Sequence, residues 1–136
     1  MKYSFIFGIT AARDDEKATA LFQEIASHDG DVREHTELIE EHEESEQNKE
    51  VYNRRVVRSF RLQEVTDDDS PSTVILRLFQ RIERLEGTSA FLEACNGYEA
   101  FLSCYFASEH PWTMFLGAAH LSKLADLSCS LYVNVE

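Results

Sequence analysis

The sequence predicts an α+β domain, a mainly antiparallel sheet of four to five strands with two to three helices packed on one face. Three observations predict it. The chain has 136 residues, a length at which a single hydrophobic core and one domain over residues 1–136 are expected. Apolar residues alternate with period two near both ends and again from residue 98 to 106, which is strand patterning. Between those runs lie stripes at helical spacing, and strands interleaved with helices in this order suit two packed layers.

Tyr3, Phe5, Phe7 and Ile9 form the first alternating run and predict a strand with one strongly buried face. The period then changes. Ala18, Leu21, Phe22 and Ile25 fall on one helical face behind an acidic first turn at Asp14, Asp15 and Glu16, and this helix is expected to end near Asp29-Gly30. Residues 31–50 are dominated by glutamate with Val32, Leu38 and Ile39 as aliphatic anchors, a pattern that fits a strand running into an exposed loop as well as a short charged helix. Val56, Val57, Phe60, Leu62 and Val65, interleaved with Arg54, Arg55, Arg58 and Arg61, predict a strand with a basic outer face.

Asp67-Asp68-Asp69-Ser70-Pro71 reads as a turn into a helix, with Ser70 as cap and Pro71 at the first helical position. Val74, Ile75, Leu78, Phe79, Ile82 and Leu85 continue it as one stripe, and after Gly87 a second short helical piece begins around Phe91. Asn96-Gly97 is a turn signal, followed by Tyr98, Ala100, Leu102, Cys104 and Phe106 in alternation; both faces are apolar, so this strand is expected to be central. A loop at His110-Pro111-Trp112, a helix carrying Phe115, Leu121 and Leu124, and a closing strand at Cys129, Leu131, Val133 and Val135 complete the chain. The loosely duplicated strand-helix-strand unit suggests a ferredoxin-like or split arrangement, and either terminal strand could pair at a sheet edge.

The formal charge is −12, from 25 acidic and 13 basic residues, which argues against a nucleic-acid partner because polyanion binding needs clustered Lys and Arg. No run reaches the roughly 18 to 20 apolar residues of a membrane span, and the first apolar stretch is too short and too soon followed by Arg13-Asp14-Asp15 to be a signal peptide. No membrane partner and a cytoplasmic location are therefore expected. Cys95, Cys104 and Cys129 form no CxxC pair and read as buried thiols.

Gly8, Gly30, Gly87, Gly97 and Gly117 stand singly, so there is no phosphate-cradling loop, and neither GxSxG nor HExxH occurs. His35 and His42, if helical, would lie two turns apart, too far to share a metal; His42 with Glu46 is the one ligand-like pair. His110 and His120 flank Trp112, without an orienting carboxylate in the pattern. No catalytic residue, metal ligand or cofactor is assigned. The candidate contact residues are instead Glu34, Glu37, Glu40, Glu41, Glu43 and Glu44, the Asp67, Asp68 and Asp69 turn, and Trp112, which belongs to a residue type enriched at binding hot spots.

The segments Gly97-Tyr98-Glu99-Ala100-Phe101-Leu102-Ser103, Leu121-Ser122-Lys123-Leu124-Ala125-Asp126-Leu127 and Ser130-Leu131-Tyr132-Val133-Asn134 resemble the bacterial family called domain of unknown function 4279. The likeness covers the C-terminal third and, loosely, the opening strand and helix. It implies an α+β domain with no established activity. The chain departs from that pattern in lacking a tryptophan in the central strand and in its Glu-rich elaboration.

An acidic, small, motif-poor chain is expected to act by binding. The leading expectation is an immunity protein that neutralises a basic bacterial toxin, such as a nuclease, through an acidic surface that gives fast, specific capture. The alternative is a small-molecule-binding or regulatory domain with a pocket between sheet and helices.

Overall fold

Alternation at the start of the chain becomes β1 (Lys2–Ala12), with Phe5, Phe7 and Ile9 fully buried on one face. The structure, a computed structural model, describes residues 2–29, 33–44, 49–66, 70–107 and 116–135, with backbone alone for 2–3, 33–44, 49–56, 58, 66, 107 and 135. The elements that follow β1 are α1 (Glu16–Ala26), β2 (Arg33–Glu44), β3 (Lys49–Thr66), α2 (Pro71–Leu85), α3 (Ser89–Gly97), β4 (Glu99–Ala107), α4 (Ala118–Asp126) and β5 (Cys129–Val135).

The five strands form one sheet in the order β2-β3-β1-β4-β5. The pairs β2/β3, β3/β1 and β1/β4 are antiparallel and β4/β5 is parallel, so the sheet is mixed but mainly antiparallel. With α2 and α3 taken together as one connection, the stretch from β1 to β4 has the order of a ferredoxin-like split unit, to which α4 and β5 add a parallel crossover. β4 is interior, as its two apolar faces predict. β1 is interior too, which leaves β5 as the terminal strand that lies at an edge.

Alternate residues of the strands, Phe5, Phe7 and Ile9 on β1, Phe60 and Leu62 on β3, and Ala100, Leu102, Cys104 and Phe106 on β4, join the buried sides of all four helices in one core. The helices therefore share one face of the sheet. Among the described residues they number four, more than the two to three expected, because residues 71–97 divide at Glu86–Thr88 into two helices and α3 supplies its own buried face of Ala90, Phe91, Ala94 and Cys95. Asn96 and Gly97 close α3 and do not form a free-standing turn. Phenylalanine rings tie the layers: Phe5 meets Phe106 edge-on at 5.7 Å, and Phe22 of α1 meets Phe60 of β3 at 5.9 Å.

Local chemistry fixes the helix ends. Asp15 caps α1 by accepting from the Ala18 amide at 2.9 Å, and the Tyr98 hydroxyl donates to the same Oδ1 at 2.9 Å, which joins the start of α1 to the start of β4. Ser70 caps α2, accepting from the Thr73 amide at 3.3 Å, with Pro71 as its first residue. Arg81 of α2 reaches Asp29 through two nitrogens, at 3.1 and 3.2 Å, and donates to Glu64 Oε1 and the Gln63 carbonyl, both at 3.2 Å. This planar fork fastens the helical layer to the end of β3.

Candidate functional site

The glutamate-rich segment resolves into strand. β2 pairs with β3 from Arg33↔Arg61 to Glu44↔Lys49, with one irregularity between Glu41 and His42, so the chain turns back as a long hairpin. Because β2 is outermost, Glu34, Glu37, Glu40, Glu41, Glu43 and Glu44 all sit on an edge strand. A strand rises about 3.3 Å per residue, which sets His35 and His42 roughly 23 Å apart along it, farther than a helix would and too far for a shared ligand. The side chains of β2 lie outside the described residues, as do Glu46, Asp67, Asp68, Asp69, His110 and Trp112.

The sheet face opposite the helices is the second place where chemistry collects. Strand register builds it in rows: Arg61, Gly8 and Phe101 stand side by side across β3, β1 and β4, and Ser59, Thr10 and Glu99 form the next row. Gly8 makes room for that ring. A Cβ at this position would collide with the tip of the Phe101 ring, which would have to swing aside, and would sit 3.1 Å from the Phe60 carbonyl, so the ring lies directly over the glycine backbone. The Arg61 guanidinium is 6.0 Å from the centre of that ring, a cation–π distance.

Thr10 and Ser59 share a hydrogen bond of 3.2 Å between neighbouring strands, and Ser59 and Val57 are buried although they lie on this helix-free side. Together with Tyr132 and Asn134 of β5 these residues line an open concavity of about 330 Å³. Its hydroxyls, amide, guanidinium and ring can hold a ligand through hydrogen bonds and stacking. Sequence reading named none of Thr10, Ser59, Arg61 or Phe101 as a site residue. Gly8, a lone glycine inside a strand of large residues, was the available sign of a close approach.

The other reactive side chains are taken up by packing. Cys95 and Cys104 are buried and Cys129 is half-buried, and desolvation pushes all three thiols up to about 12, so they stay protonated at neutral pH. His120 of α4 stacks on Phe79 of α2 with centroids 4.4 Å apart and planes 13° from parallel. Among the described residues no three His, Cys, Asp or Glu side chains gather as a metal site, and no helix is long and apolar enough to cross a membrane.

Comparison with known proteins returns no match: no family model, no curated protein and no solved structure.

Proposed function

We propose that this protein is a non-catalytic, protein-binding inhibitor, an immunity protein that docks a basic bacterial toxin domain, such as a nuclease, against the acidic edge of its sheet. One observation carries the proposal: six of the eight glutamates between residues 31 and 50 belong to one twelve-residue edge strand, β2. An edge strand presents a row of backbone donors and acceptors to which an incoming strand can add, and flanking carboxylates select a cationic one. The net charge of −12 would speed encounter with such a partner and repel nucleic acid, and the nuclease class is basic for the opposite reason. Cytoplasmic residence belongs to the same proposal, as does a role for Asp67, Asp68, Asp69 and Trp112 in the contact.

The test is co-purification with the product of the neighbouring gene, washed at low and at high salt. A stoichiometric basic partner released by high salt is the expected result. Failure of any protein to co-purify would overturn the inhibitor reading. The concavity over Gly8 and Phe101, on the helix-free face and not between sheet and helices as the sequence reading expected, supports a second reading, a small-molecule-binding or regulatory domain, for which a ligand extracted from the purified protein and lost in Phe101→Ala would be the sign.

A further inference from the structure

We infer that β5 is a self-association edge, at which two copies of this chain pair β5 against β5, antiparallel about a two-fold axis near Tyr132, and merge their sheets. Among the described residues β5 is last in the strand order and its ladder runs to β4 alone, so its outer backbone groups face away from the sheet. Three consecutive large side chains, Leu131, Tyr132 and Val133, are 42%, 49% and 48% exposed, and alternation puts them on both faces of the strand. A long apolar edge of this kind is a template for another strand.

Charge selects the occupant. Cys129–Val135 contains no charged residue, on a chain with 25 acidic and 13 basic ones. Two copies that each carry −12 repel broadly, and a neutral strand is where that repulsion opposes contact least. A basic partner would find no countercharge there. An antiparallel strand, by contrast, is complementary to its own copy, since rotation about the midpoint Tyr132 sets Leu131 opposite Val133 and Ser130 opposite Asn134. Symmetry also closes the assembly at two. Leu121 of α4, 49% exposed, adds apolar surface on the helical layer. Seven paired residues fall short of the roughly 800 Å² per partner of a standard interface, so the dimer is expected to dissociate in the micromolar range. The inference does not depend on the inhibitor proposal.

Sedimentation of the full chain from about 1 to about 500 µM tests it, beside Tyr132→Lys, which sets like charges opposite each other on the axis, and Asn134→Lys, which puts a charge opposite Ser130 in the paired strand. The expected result is a mass that climbs from 15.6 kDa toward twice that value in the wild type, with association weakened at least about tenfold in both variants. A wild-type chain that stays monomeric, or variants that associate like wild type, would overturn the inference. If Tyr132→Lys loses its far-ultraviolet circular dichroism, Asn134→Lys and amide exchange on the wild type carry the test. Concentration must then protect residues 129–135; protection at another segment, or at these residues only when a different protein is added, contradicts self-pairing.

Discussion

The two edges of the sheet solve the same physical problem in opposite ways. β2 is twelve residues long and half glutamate, whereas β5 is seven residues long and uncharged. Among the described residues each is the last strand on its side of the sheet, but the glutamates of β2 add to the repulsion of a second acidic chain, while β5 adds no charge of its own. If the two proposals hold, a chain with a net charge of −12 would meet a basic partner at one edge and its own copy at the other, without competition between them.

Removing what the edges share should have the largest effect. Phe7 is fully buried on β1, which pairs with both β3 and β4, and its ring lies 5.8 Å from Phe91 of α3. Phe7→Ala is expected to cost about 3–5 kcal/mol in urea denaturation, with exchange protection of β3 and β4 falling together. Loss confined to one half of the sheet would show that the edges do not hang on a common core.

Selective damage comes next. Reversing Glu40, Glu41, Glu43 and Glu44 to Lys raises the formal charge from −12 to −4, two units at each of four sites. The rate of association with a basic partner is expected to fall by about ten- to a hundredfold at low salt and to lose most of its salt dependence. Self-association through β5 should persist. Stopped-flow binding and sedimentation read the two edges separately, and unchanged binding kinetics would remove β2 from the account.

These contrasts were only partly legible in the sequence. Where one face is buried, the pattern was sufficient: Phe5, Phe7 and Ile9 on β1, the stripe from Val74 to Leu85 on α2, and the Ser70-Pro71 cap all stand as the spacing predicts. β2 was not decipherable, because an edge strand rich in glutamate has no apolar alternation to distinguish it from a charged helix or loop. The open-face site was missed for a related reason. Arg61, Gly8 and Phe101 are separated by 53 and 93 residues from one end of the chain to the other in sequence terms, and only register brings them into a row.

Smaller effects are expected where the helical layer is tied to the sheet. The Ala18 amide, the Tyr98 hydroxyl and then Lys17 hold the Asp15 carboxyl below its ordinary value of 3.8. A depressed carboxylate contributes stability that is fully present above 3.8 and is lost as pH falls through its lower folded value. Asp15→Asn should therefore flatten the acid limb of a denaturation series below that pH, while leaving both edges competent to bind at neutral pH. Least of all, Ser128 between α4 and β5 has φ of 53°, a left-handed conformation that glycine adopts freely. Ser128→Gly is expected to change stability by no more than about 1 kcal/mol, in the stabilising direction, as measured by thermal melting. A clear loss would show that the Ser128 side chain matters to the turn into β5.

The division of labour between the edges is tested most directly by amide hydrogen exchange on the full chain under three conditions: dilute, concentrated, and dilute with the basic protein that co-purifies. The account predicts that the partner protects residues 33–44 and that concentration protects residues 129–135, each without the other. Protection of the same strand in both experiments, or of neither, would contradict it.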